Sequence, residues 1–231
     1  MALFKGQNLE KIGPVRSSRH YFLDYALEND AIYVHYGWSP QAQYDISNLG
    51  VNNINGISES ESSFWRVKDK RAPHNVATST AKILSIAERK GYKTTSTKES
   101  VLKYVTDEVE LTDGQSAEKI TIPYSYSNDV EYTYDATTKR YQRYSKGVKE
   151  TDWSTGENIT TKNIIITFAK NSVLNDGENK DRQTLSNIGT LNGYYITNGK
   201  AIKITCEKTS RSAQTMYKDL DGNEIKVNDG N

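Results

Sequence analysis

Two short segments, residues 12–36 and 66–80, hold Arg16, Arg19, Arg66 and Arg71 together with all three histidines of the chain, His20, His35 and His74. Arg16 and Arg19 bracket Ser17 and Ser18 immediately before an apolar, helix-periodic run. Such a junction offers backbone N–H groups, hydroxyls and two guanidinium groups to a single anion. His74 and Asn75 follow Pro73, which stiffens the backbone, and supply a second polar cluster. Histidine titrates near neutral pH and paired arginines stabilise charge developing on an oxygen, so these residues suit anion binding or acid–base work by His35 or His74. The candidate ligand-binding set is Arg16, Ser17, Arg19, His35, Ser39, Arg66, Arg71, His74 and Asn75. Trp38 and Trp65 lie beside the two clusters as an aromatic platform on which a sugar ring would stack. No residue is assigned a catalytic role.

The competing reading of the same residues is structural. Arg16 and Arg19 would pair with Asp24, Glu28 or Asp30, His35 would be a satisfied strand histidine, His74 a hydrogen-bonder in a loop, and the three tryptophans would pack between layers. Familiar catalytic templates are missing: the chain has no GxSxG elbow, no GxxxxGK[ST] phosphate loop and no GxGxxG turn. HExxH is absent too, so no metal and no cofactor is expected. The acidic stretch from Asp219 to Glu224 lacks the Glu twelve positions from its first carboxylate that a calcium loop needs, and reads as a hairpin turn.

The elements that would position these residues alternate in the first half. Ser17 or Ser18 is expected to cap a helix through about Asn29, burying Tyr21, Phe22, Tyr25 and Ala26. A strand, AIYVHY, follows and ends where Ser39 can cap a helix with Pro40 as its first residue, stopping at Gly50. A third helix is capped by Thr78 or Ser79, places Ile83, Leu84, Ile86 and Ala87 inside, and ends before Gly91. Beyond about Thr95 the texture becomes β-rich, after a short helix expected in KESVLKYV. Hairpins are expected at Asp135–Lys139, at Asn198-Gly199 and in DLDGNEI, since Asn-Gly supplies the positive φ angles of a type I′ turn. The fold class is therefore α+β: an α/β-type N-terminal region over residues 1–112, with helices on a small sheet, and a β-rich domain over residues 113–231, a small barrel or sandwich.

Composition narrows the function. The 231 residues are 35% hydrophobic and 26% charged, with a net charge of +1. No overall basic field exists to bind nucleic acid by bulk charge. Cys206, the single cysteine, sits in the alternating run AIKITCEK and reads as a small buried strand residue. No stretch approaches the ~20 apolar residues of a membrane span.

The string GPVRSSRHYFLDYALENDAIYVHYGWSP, followed by FWRVKDKRAPHN, resembles the bacterial YerB-like family, envelope lipoproteins carrying a domain of unknown function. EYTYDATTKRYQRYSKG, TGENITTKNIIITF, NGKAIKITCEK and YKDLDGNEIKVNDGN are similar to its C-terminal domain. Gly13, Arg16, Ser17, Arg19, Asp24, His35, Gly37, Ser39, Arg66, Pro73, His74 and Asn75 fall on the family motifs. His20, Trp38 and Cys206 depart from them, standing where proline, a small residue and tryptophan are usual. The resemblance implies an extracytoplasmic, lipid-anchored protein. It also implies that an export signal, a lipid-bearing cysteine and the start of the domain precede residue 1, and that a further apolar strand follows residue 231. Membrane contact would come only through that anchor, which this chain lacks.

Together these observations point to an envelope-associated binding protein whose Arg/His/Asn pocket takes an anionic or saccharide-like ligand. The alternatives are a hydrolase of a phosphodiester or glycan bond with His74 or His35 as acid and base, and an accessory lipoprotein that binds a protein partner. Binding is preferred to catalysis, because arginine and histidine also build structural networks.

Overall fold

The computed structural model describes residues 1–126, 128–178 and 180–230. It is α+β, with three α-helices, α1 (Phe22–Glu28), α2 (Pro40–Asn48) and α3 (Thr80–Arg89), and many short strands. No helix among the described residues is long and apolar enough to cross a membrane. Two compact units form: Met1–Glu99 with Lys170–Ile188 and Thr209–Gln214, and Ser100–Ala169 with Gly189–Lys208 and Thr215–Asn231. The units interleave along the sequence, whereas the bounds read from the sequence, 1–112 and 113–231, make a single cut. The two later segments group with the helices because their side chains serve buried polar atoms there. Asn187 Nδ2 donates to Asp24 Oδ2 at 2.9 Å, and Arg211 Nε donates to Asp24 Oδ1 at 2.6 Å.

In the helical unit, residues 12–18 run extended between two partners. Ile12 and Thr78 exchange backbone hydrogen bonds of 2.7 and 3.0 Å, and Val15 N–H donates to Val76 O at 2.8 Å. Farther along, Tyr36 N–H donates to Arg16 O, and Ser18 N–H to Gly37 O, both at 2.9 Å. This pairing corrects the expectation that Ser17 or Ser18 caps a helix. The backbone of Ser18 is committed to Gly37 and Ser39, and α1 begins only at Phe22, behind Tyr21, which makes no side-chain cap bond. Two backbone bonds in a buried ladder outweigh one side-chain cap.

The next elements form as their end signals require. Ser39 accepts from Ala42 N–H at 3.3 Å with Pro40 at the first turn, and Ser79 accepts from Lys82 N–H at 3.3 Å. Gly50 and Gly91 take φ of +62° and +69° just past the helices, the left-handed conformation that ends them. Strand Tyr33–His35 pairs in parallel with Asn53–Asn55, with α2 between them. One apolar cluster joins Leu23, Ala26, Tyr33, Ile46 and Val51; a second joins Val15, Ile54, Phe64, Val76 and Ile86. Tyr25 and Leu84, expected inside, are exposed, and Leu23 takes the buried position on α1 instead. Residues 1–4 form no strand.

In the β unit, strand Lys103–Val105 replaces the helix expected in KESVLKYV; it pairs in parallel with Lys226–Asn228. Five antiparallel strands form around Asn128–Asp135 and Arg140–Ser145, and five around Gly189–Thr197 and Lys200–Lys208. The second sheet is covered on both faces, as its alternation demands. Tyr195, Ile204 and Cys206 pack with Leu111, Ile225 and Val227, while Ile164 and Ile196 pack against Tyr141 of the first sheet. The two sheets meet there as a sandwich. Asn198 and Gly199 turn with φ of +50° and +75°, and the hairpins at Asp135 and at Asp219 also form. Cys206 is buried, 3.3 Å from Thr167 Oγ1, and burial pushes its thiol pKa up.

Candidate functional site

The paired strands bring Arg16 and Arg66 together although 50 positions separate them in sequence. Strand Trp65–Arg66 lies antiparallel to Val76–Ala77 with Arg66 opposite Val76, and Val76 in turn bonds Val15, the neighbour of Arg16. A cleft of about 80 Å³ opens on this face, lined by Val15, Arg16, Ser17, Tyr36, Arg66, Pro73 and Val76. None of these is acidic, and neither arginine makes an ion pair with a carboxylate among the described residues. Val15 and Val76 are the buried part of the lining, while Arg16, Ser17 and Arg66 are exposed.

Both guanidinium groups are held by neutral partners. The Arg66 guanidinium stands 5.6 Å from the centre of the Tyr36 ring, and its Nη1 donates to Asn75 Oδ1 at 2.7 Å. Arg16 Nη1 lies 2.7 Å from His74 Nδ1 and 3.1 Å from His74 Nε2, and donates to a ring nitrogen that carries no proton. Ser17, also in the lining, donates its hydroxyl to Tyr36 O at 3.1 Å, so that proton is already engaged. Neutral partners fix the two cations without cancelling them, so the cleft can take one small anionic group.

Several residues expected at the site stand elsewhere. His35 is 1% exposed. Its Nδ1–H donates to Gly37 O at 2.9 Å, its Nε2 lies 3.1 Å from Asn53 Oδ1, and its ring stacks on Tyr33. Burial lowers its pKa, partly opposed by the bonds to Gly37 and Asn53. It is the satisfied strand histidine of the structural reading, sealed from any ligand. Ser39 is the buried cap of α2. Arg19 turns its Nη1 back to Ser18 O at 2.9 Å, away from the cleft. Arg71 is exposed on the turn beyond the cleft and is not part of its lining.

The aromatic platform does not form either. Trp38 packs on the Leu23, Tyr33 and Ile46 cluster. Trp65 precedes Arg66 in a strand, and adjacent strand residues face opposite ways. The pairing of Arg16 or Arg19 with Asp24 is also replaced: Asp24 and Asp45 are both held by Arg211, whose Nη1 donates to Asp45 Oδ2 at 2.5 Å. Val15, Tyr36, Pro73 and Val76 line the cleft without having been expected there; Tyr36 lies on the face opposite His35, where it packs beside Phe64.

Residues 1–93 match the N-terminal domain, and residues 120–231 the C-terminal domain, of Protein of unknown function (DUF3048). A Bacillus subtilis (strain 168) protein named "Putative lipoprotein YerB" is 31% identical over 230 residues, which is 100% of this chain and 65% of that protein. The chain thus spans just under two-thirds of that relative's length. The crystal structure of YerB protein from Bacillus subtilis has the same fold, with a TM-score of 0.82 at 29% identity over 98% of this chain and 74% of the crystallised one. With both domains matched in order and the whole chain aligned to YerB, this protein belongs to the YerB-like, DUF3048 family, whose function is unknown.

Proposed function

We propose that this chain is the ligand-binding part of a lipid-anchored protein of the bacterial cell envelope, and that it holds an anionic group between Arg16 and Arg66. The location rests on the lipoprotein name of its relative. The binding reading rests on one observation: two arginines fixed by neutral partners converge on one cleft without a carboxylate in its lining. The cleft, about 80 Å³, is small. That suits a phosphate or carboxylate and not a sugar ring, and with Trp38 and Trp65 turned elsewhere, charge and not stacking is the recognition. Binding is favoured over hydrolysis because His35 is enclosed and His74, the histidine beside the cleft, lends a ring nitrogen to Arg16.

Isothermal titration with inorganic phosphate tests this. A hydrogen bond to a charged group contributes about 1.5–3 kcal/mol, so Arg16→Ala and Arg66→Ala should each weaken binding roughly 10- to 100-fold, while Trp65→Ala leaves it unchanged. Phosphate affinity that neither arginine substitution alters would place the site elsewhere.

A further inference from the structure

The cleft accommodates one small anion, yet positive charge continues past it. Beyond Val67, whose N–H donates to Asn75 O at 2.8 Å, the chain makes an exposed turn that closes on a 2.9 Å bond from His74 N–H to Arg71 O. This turn carries Lys68, Lys70 and Arg71 against one acid, Asp69. Lys68 and Arg71 are exposed and have no carboxylate partner among the described residues. Even fully extended, the five residue steps from Arg66 to Arg71 reach at most ~18 Å. A row of cations therefore leads out of the cleft over a short distance.

From this we infer that the ligand is a linear polyanion, a soluble chain bearing repeated phosphate or carboxylate groups, with one group in the cleft and its neighbours along the turn at Lys68 and Arg71. The inference rests on the anion reading of the cleft. A monovalent ligand would leave the turn's charges unused, and a bulky multivalent one would not enter a space of 80 Å³. A flexible chain satisfies both constraints, because each added contact forms at high effective concentration once the first group is seated. Its signature is electrostatic: log K falls with log salt by about 0.7 per phosphate contacted on a single strand.

The test compares orthophosphate with polyphosphate of ten or so units, titrated into the wild type and the Lys68→Ala/Arg71→Ala double variant at several salt concentrations. Polyphosphate should bind the wild type at least tenfold more tightly than orthophosphate, with a steeper salt slope. The double variant should lose about 1.4 of that slope, as two contacts require, and most of the chain-length advantage, while keeping its orthophosphate affinity. Its exposed positions and an unchanged circular dichroism spectrum separate lost contacts from misfolding. Equal affinity for the two phosphates overturns the polyanion inference and leaves the cleft reading standing; binding of neither overturns both. Tighter capture by vesicles containing phosphatidylglycerol than by polyphosphate would also overturn it, in favour of a membrane surface.

Discussion

Replacing Arg211 by methionine should destabilise the helical unit more than any other single change of a charged residue there. Asp24 on α1 and Asp45 on α2 are 2% and 6% exposed, and Arg211 donates to both while its Nη2 donates to His20 O at 2.7 Å. Methionine keeps part of the apolar stem but leaves two enclosed carboxylates with only neutral donors, Asn187 to Asp24 and Gln41 to Asp45. Removing one partner of a buried ion pair costs about 3–5 kcal/mol. The Arg211 side chain is 30% exposed, so water reaches one side of it and the lower end, about 3 kcal/mol, is expected. At roughly 2–4 °C per kcal/mol for a chain of this size, melting of this unit should fall by about 6–12 °C. The assay is thermal denaturation followed by far-ultraviolet circular dichroism, with hydrogen exchange at α1 and α2 to locate the loss. The triple variant Asp24→Asn/Asp45→Asn/Arg211→Met should recover part of the deficit, because it removes the stranded charges. A fall of less than about 2 °C, or a triple variant that is worse than Arg211→Met, would refute the claim that this guanidinium neutralises a buried pair.

Three other outcomes are expected. Glu108 receives hydrogen bonds from Lys139 and Lys162, each 2.5 Å, which hold its carboxyl at about 2; its depressed pKa means that this stabilisation is complete above about pH 5 and lost as pH falls from about 4.5 towards 2. With 37% of the Glu108 side chain exposed, the effect is about 1 kcal/mol or less, and Glu108→Gln should flatten acid denaturation in that window. Gly193→Ala should destabilise the β unit by about 1–3 kcal/mol in urea titration, because a Cβ there would clash with the Ile166 carbonyl oxygen, inside the ladder between Asn163–Thr167 and Gly189–Thr197. Ser39→Ala should cost about 1 kcal/mol of stability through its lost cap and leave phosphate affinity unchanged, the reverse of what a ligand contact would show.

Local signals made much of the fold legible. Ser39-Pro40 and Ser79 gave two helix starts, Gly50 and Gly91 their ends, and Asn198-Gly199 a hairpin, because each is a short-range conformational demand that the residue itself meets. The misses share another cause. Ser17 and Ser18 looked like caps, but the backbone around them is committed to Gly37, Ser39 and Tyr36, partners some twenty positions away. The ion-pair network of Asp24, Asp45 and Arg211 spans up to 187 positions and leaves no local pattern. At the cleft, Arg16, Ser17 and Arg66 were readable as a polar cluster, and His74 and Asn75 proved to be the groups that hold the two guanidiniums. His35 and Tyr36 were separable by alternation, yet each side of the strand packs, His35 beside Tyr33 and Trp38 and Tyr36 beside Phe64, so alternation alone does not say which of the two is sealed from the cleft. The tryptophans show the same ambiguity, since an aromatic beside a basic cluster can pack inward as readily as it can stack on a ligand.

The central claim is that Arg16 and Arg66 grip one anion between them. The most direct measurement is a phosphate titration followed by nuclear magnetic resonance of the arginine Nε–H groups in protein labelled with nitrogen-15. The Arg16 and Arg66 signals should move together along a single saturation curve with one dissociation constant, while Arg19, Arg89 and Arg211 stay in place. Two unrelated curves for Arg16 and Arg66, or shifts confined to other arginines, would contradict it.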